Sequence, residues 1–222
     1  MEKHIVKILS VTEVTHDVKS IRIEKPAGYR FTPGQATEVS VNKPGWEEER
    51  RPFTFTSLND EPTLEFTIKG YKDHNGMTNQ IHQLAVGDQL IIRDVWGAIE
   101  YKGPGYFIAG GAGITPFIAI LRQLKKDGQA SGNVLYFSNK TALDVILEDE
   151  LYDILGTDAH FILTKGDTHG YRHGYIDKVF LDTNVTDLRK HFYVCGPDKM
   201  ISDVNGALEQ MGVQPDAVVF EK

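Results

Sequence analysis

The apolar segments of this chain change their spacing near residue 102, and no other feature constrains the fold more. Before that point, short strand-like segments alternate with turn residues such as Pro33-Gly34 and Pro44-Gly45. The segments cover residues 5–14, 17–24, 36–42, 52–57, 63–69 and 89–94. Regular short strands separated by turns are typical of an antiparallel barrel or sandwich. We therefore predict an N-terminal antiparallel β-barrel.

Beyond residue 102, strands and helices alternate. The predicted order is strand 106–109, helix 116–127, strand 133–137, helix 143–154, strand 159–163, a helix near 176–182, strand 191–195, helix 198–211 and strand 216–220. Alternation of helices with apolar strands indicates a parallel sheet covered by helices on both faces. We predict two domains, a β-barrel of residues 1–102 and an α/β domain of residues 103–222.

Composition narrows the functional classes. The formal net charge of −7 argues against a nucleic-acid binder, because phosphate backbones are held mainly by clustered lysine and arginine. The single cysteine, Cys195, excludes an intrachain disulfide and an intrinsic cysteine-ligated iron–sulfur cluster, and it fits a reducing compartment. The N-terminal residues lack a signal-peptide pattern, and no stretch approaches the roughly 20 apolar residues of a membrane span. We expect a cytoplasmic protein without membrane insertion.

The segment 51–57, RPFTFTS, combines a cation with alternating aromatic and hydroxyl residues. In a strand, Arg51, Phe53 and Phe55 would share one face, while Thr54 and Thr56 would share the other. A guanidinium can bind phosphate through two parallel hydrogen bonds, and a threonine hydroxyl can both donate and accept. The pattern suits a flat, phosphate-bearing cofactor with a redox-active ring nitrogen. An ordinary antiparallel strand is the alternative.

A loop entering a short helix interrupts the strand pattern at residues 74–84, with Thr78 as the predicted helix cap. Free backbone N–H groups at a helix start can bind a phosphate. This segment is therefore a candidate second phosphate site, and a structural crossover helix is the alternative.

A glycine-rich turn at residues 110–113 follows the first strand of the α/β part and opens a helix at Pro116. Glycines allow a main chain to approach a nucleotide closely, and a dinucleotide site requires this strand–turn–helix context. Parallel sheets bind ligands at the carboxyl ends of their strands, and strand 191–195 ends at Cys195. The position of the cysteine indicates a place beside the nucleotide, whereas a buried structural thiol is the alternative.

Four motifs occur in a fixed order along the chain. They are Arg51-x-Phe53-Thr54-x-x-Ser57, Gly76-Met77-Thr78, Gly111-Ala112-Gly113-Ile114-Thr115-Pro116 and Cys195-Gly196-Pro197. Together they resemble the ferredoxin-NADP⁺ reductase superfamily of flavoenzymes over nearly the whole chain. The resemblance implies that Arg51 binds the flavin phosphate, that Phe53 packs against the isoalloxazine ring and that Thr54 hydrogen-bonds its N5. The family usually has Tyr and Ser where this chain has Phe53 and Thr54, so one phenolic hydrogen bond is absent.

The resemblance also implies the nucleotide contacts. The glycine turn and the start of the next helix would hold the pyridine nucleotide through Gly111, Gly113, Thr115 and Pro116. The end of strand 191–195 would lie beside the nicotinamide at Cys195, Gly196 and Pro197. The expected reaction is hydride transfer from NADPH to flavin N5, with Thr54 and Cys195 as the catalytic residues, followed by electron transfer to a carrier.

Cofactor selectivity rests on two further features. In the family, a hydroxyl–basic pair after the third strand of the nucleotide domain, with basic and aromatic residues downstream, binds the extra phosphate of NADPH. This pattern matches Thr164, Lys165, His173 and Tyr175. It predicts NADPH rather than NADH, and ordinary polar loop residues are the alternative. FAD is predicted rather than FMN, because the second motif, Gly76-Met77-Thr78, supplies a second phosphate site.

Phe220 and the histidine pair His169 and His173 each leave an alternative open. Phe220 would either cover the flavin, as the terminal aromatic residue of chloroplast-type members does, or fill the last strand, and we favour the strand. The spacing His169-x-x-x-His173 resembles a metal site. Without a third ligand at a suitable spacing, a polar loop is the stronger interpretation.

The electron acceptor is expected to be a separate protein, with flavodoxin or ferredoxin as the leading candidates. A docking surface on this acidic chain would have to be local, and its candidate cations are Lys69, Lys72, Arg93 and Lys102. The alternatives are the reductase component of an oxygenase system, a free-flavin reductase and a non-enzymatic flavin or nucleotide sensor.

Overall fold

The computed structural model describes residues 2–71, 75–97, 99–166 and 170–213, together with the backbone of 218–220. Its contacts divide the chain into two compact units, residues 1–97 and residues 98–222. The domain boundary between residues 102 and 103 remains a prediction.

The first unit is an antiparallel β-sheet. Its strands are β1 (His4–Thr15), β2 (Val18–Glu24), β3 (Ala36–Val41), β4 (Arg51–Thr54), β5 (Thr63–Lys69) and β6 (Gln89–Trp96). They pair in the order β4-β3-β6-β1-β2-β5. An antiparallel bridge between Phe55 and Phe66 joins the chain after β4 to β5, so the two edge strands meet and the sheet closes. The predicted antiparallel barrel is confirmed.

Apolar side chains that point inward fill this barrel. Phe55 is fully buried, stacks on Phe31 with 4.3 Å between ring centroids, and lies 5.2 Å from the Phe66 ring. Each large apolar side chain removed from water contributes about 1.5–3 kcal/mol to stability. The aromatic cluster therefore anchors the segment after β4 at a defined position in the barrel wall.

Helix α1 (Met77–His82) lies between β5 and β6. It begins after Gly76 and has no side-chain cap, so the prediction that Thr78 caps this helix was wrong. Met77 and Ile81 are buried one helical turn apart. Their packing against the barrel core, rather than a capping hydroxyl, holds this short helix.

The second unit is a parallel sheet with helices. Its elements are β7 (Gly105–Gly110), α2 (Thr115–Lys126), β8 (Val134–Asn139), α3 (Glu148–Leu155), β9 (Ala159–Leu163), β10 (Arg172–His173), α4 (Lys178–Asn184), β11 (His191–Cys195), α5 (Asp198–Gln210) and β12 (Val218–Phe220). The strand order is β10-β9-β8-β7-β11-β12, and every pairing is parallel. The predicted α/β domain is confirmed.

Strands β8 and β12 are displaced by about two residues at one end from the predicted 133–137 and 216–220, and three other elements differ more clearly. The helix predicted at 143–154 begins only at Glu148, because Leu147 has a left-handed backbone with φ 54° and a 3₁₀ turn precedes it. The helix predicted near 176–182 runs from Lys178, after Asp177 accepts a hydrogen bond from the Phe180 N–H at 2.8 Å. The two-residue strand β10 was not predicted.

The position of Phe220 agrees with the strand interpretation at the level of the backbone. It lies in β12, where Val194 of β11 is its register partner. Its side chain and His169 lie outside the described residues. Among the helices of the described ranges, none combines the length and apolar character needed to cross a bilayer.

Candidate functional site

The carboxyl edge of the parallel sheet brings together most of the predicted nucleotide-site residues. Cys195 is the register partner of Ala109, and Gly110 is the partner of Ser138. Asn139 and His173 are both partners of Leu163. The segments that follow these strand ends therefore leave the sheet at the same edge, where ligands of parallel sheets bind.

The glycine turn lies directly against the end of β11. A Cβ atom on Gly113 would collide with the Cys195 carbonyl and lie 2.6 Å from Gly196 Cα. A Cβ atom on Gly196 would lie 3.1 Å from the Gly110 nitrogen, and one on Gly110 would lie 3.0 Å from Pro197 Cδ. The two motifs need glycine because their main chains touch.

The turn then leads into α2. Gly111 has a left-handed backbone with φ 53°, and the 3₁₀ turn Gly111–Ile114 ends in the fully buried Ile114. The Thr115 hydroxyl donates to the Ala112 carbonyl at 3.0 Å, and Pro116 stands in the first helical turn. No acidic residue lies in that turn, so its N–H groups and the helix dipole favour an anion at this end.

The ends of β8 and β9 form a second part of the edge. The Asn139 carbonyl accepts hydrogen bonds from the Thr164 N–H at 2.9 Å and from its hydroxyl at 3.3 Å. The Lys165 N–H donates to the Lys140 carbonyl at 2.8 Å, so two exposed lysines stand on neighbouring segments. A hydroxyl has one proton, and that of Thr164 is engaged by the protein in this arrangement.

Asn139, the last residue of β8, is a candidate site residue that was not among those predicted from the sequence. Its side chain is 5% exposed, and neither amide atom has a hydrogen-bond partner among the described residues. A buried, unsatisfied amide is unfavourable and calls for an explanation in a bound group. Its place at the end of an apolar strand, on the nucleotide edge, is the sequence signal that could have identified it.

The two remaining nucleotide-site candidates follow β9 at the edge of the sheet. His173 is exposed in β10, and Tyr175 just beyond it is 69% exposed. Because β10 is parallel to β9, both residues emerge on the same edge as Lys165.

In the first unit, β4 carries three of the predicted flavin residues. Arg51 is exposed, and its Nη1 donates to the Arg50 carbonyl at 2.6 Å. Phe53 is half-buried, with its ring centroid 6.4 Å from that of Phe66. Thr54 is 8% exposed, and its hydroxyl has no partner within the described part of the chain. A cation, an aromatic face and an unengaged hydroxyl therefore occur within four residues.

The rest of the 51–57 segment builds the barrel. The Ser57 hydroxyl is fully buried and accepts a hydrogen bond from the Glu65 N–H at 3.0 Å. The Thr56 hydroxyl donates to Glu65 Oε1 at 3.0 Å and accepts from the Thr67 hydroxyl at 3.2 Å. The side chains of Phe55, Thr56 and Ser57 are thus occupied by the protein, and the geometry gives no support to a cofactor contact through the Ser57 side chain.

The second flavin motif surrounds the start of α1. A Cβ atom on Gly76 would meet nothing within 4 Å, so protein packing does not require glycine there. The Met77 side chain is buried in the core and Thr78 is half-buried. The polar groups that the motif offers are therefore its backbone N–H groups and the Thr78 hydroxyl.

The four cations proposed for a docking surface differ in their exposure and in their partners. Arg93 is completely buried, so its assignment to a docking surface was wrong. Lys69 forms an ion pair with Asp17 at 2.9 Å, and Lys102 is exposed. Lys72 lies outside the described residues.

Two family models match the chain. Residues 5–101 match the model described as "Oxidoreductase FAD-binding domain". Residues 107–206 match the model described as "Oxidoreductase NAD-binding domain".

Individual relatives agree with these matches. The reductase component of propane 2-monooxygenase from Rhodococcus jostii is 26% identical over 97% of this chain and 62% of the relative. NADH-cytochrome b5 reductase 2 from Coccidioides immitis is 30% identical over 90% of this chain and 67% of the relative. A ferredoxin NADP⁺ reductase from Neisseria gonorrhoeae, solved with FAD and NADP, superposes with a TM-score of 0.86 at 21% identity, over 100% of this chain and 98% of that one. The chain thus spans about two-thirds of the length of the curated relatives.

Proposed function

Because this chain belongs to the ferredoxin-NADP⁺ reductase-like superfamily of flavoproteins, we propose that it is an FAD-dependent NADPH oxidoreductase serving a separate electron carrier. The observation that supports this most is the carboxyl edge of the parallel sheet. There the glycine turn touches the end of β11, and segments carrying exposed lysines emerge beside it. When bound, the two cofactors supply hydride transfer and single-electron chemistry, and the protein supplies placement.

The residues of β4 fit a flavin. Arg51 would bind its phosphate, since an exposed guanidinium can turn from the Arg50 carbonyl to a stronger, charged acceptor. Phe53 would pack against the ring. Thr54 would hydrogen-bond the ring nitrogen N5, because its nearly buried hydroxyl has no partner within the described residues and can donate or accept.

The edge of the second unit fits a pyridine nucleotide. The Gly111–Gly113 turn and the first turn of α2, with Thr115 and Pro116, would bind the pyrophosphate through backbone N–H groups. Cys195 would lie beside the nicotinamide, held there by the packing of its main chain on Gly113. Gly196 and Pro197, which follow Cys195 in the chain, would also lie beside the nicotinamide.

We assign the nucleotide preference to NADPH. The support is the pair of exposed lysines, Lys140 and Lys165, on two hydrogen-bonded segments with His173 and Tyr175 at the same edge. A ribose phosphate adds negative charge, and cations on this edge stabilise it. Thr164 would orient the segment through its bonds to Asn139 rather than donate its hydroxyl proton to the phosphate.

FAD rather than FMN is proposed because of the second flavin motif. The N–H groups at Gly76, Met77 and Thr78 would bind the second phosphate of the pyrophosphate. Loss of this motif would weaken FAD binding and leave FMN binding intact, so a comparison of the two affinities tests the motif directly.

Flavodoxin or ferredoxin is the proposed acceptor. A second candidate function, the reductase component of an oxygenase system, is favoured by the match to the Rhodococcus jostii protein over 97% of this chain. Reduction assays with purified flavodoxin, ferredoxin and an oxygenase component would distinguish these acceptors.

The test of the proposal is an anaerobic absorbance spectrum of the purified protein before and after stoichiometric NADPH or NADH, with the released flavin identified by chromatography. Bound FAD that is bleached faster by NADPH supports the proposal. A protein that purifies without flavin but reduces added flavin is a free-flavin reductase. Bound flavin that neither nucleotide reduces indicates a sensor.

A further inference from the structure

Arg93 is a buried cation that the proposed chemistry does not use. Its side chain is fully buried in β6, and no carboxylate of the described residues forms an ion pair with it. Burial, followed by repulsion from Arg50, lowers the pKa of the guanidinium. Its Nη2 donates to the Glu47 carbonyl at 2.9 Å, its Nη1 lies 3.5 Å from the Glu38 carbonyl, and its Nε has no partner within the described ranges. Burying a charged group costs desolvation free energy. If this position only had to fill space, an apolar residue would be more stable there.

A β-bulge directs Arg93 to this place. Between β3 and β6 the register passes from Thr37 opposite Val95 to Val39 opposite Ile92, so β6 contains one extra residue. The Thr37 hydroxyl accepts from the Arg93 N–H at 3.0 Å and donates to its carbonyl at 2.9 Å.

The carbonyl of Arg93 accepts a second hydrogen bond in addition to the one from Thr37. The Tyr29 hydroxyl donates to it at 2.6 Å. Two side chains distant in sequence, Tyr29 and Thr37, thus replace the ladder bonds that the bulge breaks.

The segment that Arg93 contacts leads directly to the proposed flavin phosphate site. The Glu47 carbonyl accepts hydrogen bonds from the Arg93 guanidinium and from the Ser40 hydroxyl, the latter at 2.8 Å. Three residues later, Arg50 forms ion pairs with Glu48 at 2.6 Å and Glu38 at 3.4 Å.

The Arg50 carbonyl in turn accepts a hydrogen bond from Nη1 of the Arg51 guanidinium at 2.6 Å. A continuous set of contacts therefore runs from Arg93, through segment 42–50, to Arg51.

We propose that Arg93 is a positioning residue that fixes segment 42–50 from within the barrel, so that Arg51 is presented to the flavin phosphate. The inference rests on the proposed function. The guanidinium is suited to this task because its rigid, planar fork of donors reaches the carbonyls of Glu38 and Glu47 from fixed positions, which an apolar side chain cannot do and a flexible ammonium does less precisely.

The test compares dissociation constants of three flavins for the full chain, measured by fluorescence quenching on flavin-stripped protein. FAD and FMN carry phosphate, and riboflavin has the same ring without it. R93M is expected to weaken FAD and FMN binding about tenfold or more while riboflavin binding stays within about twofold. R93K should show an intermediate, phosphate-selective loss. R30M removes one exposed arginine from the same unit and should change none of the three constants.

A double-mutant cycle with Arg51 gives the decisive readout. If Arg93 acts through Arg51, R51M/R93M binds FMN no more weakly than R51M alone. Additive losses, or equal losses for FMN and riboflavin, overturn the inference. If R93M does not fold, R93K decides by the same comparison of phosphate-bearing and phosphate-free flavins. A wild-type protein that binds none of the three flavins refutes the proposed function instead.

Discussion

Asn133 and Asn139 stand at the two ends of β8, and only Asn133 has its side-chain amide satisfied by the described residues. The Asn133 Oδ1 accepts a hydrogen bond from the Gly105 N–H at 3.1 Å, and its Nδ2 donates to the Ala130 carbonyl at 3.0 Å. Asn139 is also buried, but its amide makes no such bond within the described ranges. One amide completes the fold, and the other stands at the edge where a nucleotide is proposed to bind.

The substitution N139L is therefore expected to leave the nucleotide-free protein as stable as the wild type, or more stable, because it removes an unsatisfied buried group. Nucleotide affinity should fall, since the amide would no longer be available to the ligand. Chemical unfolding and nucleotide titration measure the two effects.

N133L is the matched control, and it should cost about 1–3 kcal/mol of unfolding free energy for each donor or acceptor left unpaired. Equal destabilisation by N139L and N133L would contradict the assignment of Asn139 to the ligand.

Gly113 and Gly111 are expected to respond differently to alanine. G111A should cost about 1–2 kcal/mol for its left-handed backbone, but its new Cβ meets nothing within 4 Å. G113A should cost more and abolish tight nucleotide binding, because its Cβ would push the glycine turn away from Cys195 and Gly196. Unfolding curves and NADPH titrations of both variants test this, and normal NADPH affinity in G113A would show that the contact is dispensable.

Thr54 is expected to affect reduction rather than flavin binding. T54A removes the hydroxyl proposed to bond N5 and should slow reduction of bound flavin about tenfold or more, with the flavin still bound. T54S keeps the hydroxyl and should retain most of the rate. Anaerobic stopped-flow absorbance gives the rates, and unchanged kinetics in T54A would refute the role in N5 bonding.

Lys165 is expected to discriminate between the two nucleotides. K165A should weaken NADPH binding about tenfold, because it removes a cation from the proposed ribose phosphate site, and should leave NADH binding nearly unchanged. K102A removes an exposed lysine that precedes β7, away from the carboxyl edge, and serves as the control. Equal losses for NADPH and NADH in K165A would count against the phosphate site.

His160 is expected to give the second unit a pH-dependent stability. Its ring stacks on Tyr136 with 5.3 Å between centroids, and partial burial, opposed by Asp158 and aided by Arg172, lowers its pKa below 6.5. The unfolded chain then binds a proton more readily than the folded one, so stability falls as the pH drops below 6.5 and levels off below the folded pKa. Urea unfolding between about pH 7 and pH 5 should therefore show a shallower dependence of stability on pH for H160Q than for the wild type, and an unchanged dependence would contradict the assignment to His160.

The regular elements were largely predictable from local pattern. Strands 63–69, 159–163 and 191–195 were predicted with the bounds that the structure has. Strand 63–69 alternates apolar and polar residues, whereas strands 159–163 and 191–195 are short, mostly buried apolar runs, and both patterns report burial whatever the partner strand is. The order of the four motifs placed a flavin site in the first half and a nucleotide site in the second.

Two of the errors share one cause, which is that packing with other segments of the chain decided the outcome. Thr78 is a good cap by residue type, yet burial of Met77 and Ile81 sets where α1 begins. A strand arginine is normally exposed, yet a bulge stabilised by Tyr29 and Thr37 turns Arg93 inward.

The amino-acid sequence alone determined the two kinds of domain, because hydrophobic periodicity and glycine turns are local properties of the chain. It also determined which side chains could carry the proposed chemistry. Only the tertiary structure decided which of them are available. The barrel fully buries Ser57, Thr54 keeps an unengaged hydroxyl within the described residues, and the Asn139 amide lies unsatisfied beside the Thr164 segment. Burial and hydrogen bonding depend on neighbours that are far away in sequence, so no local pattern contains them.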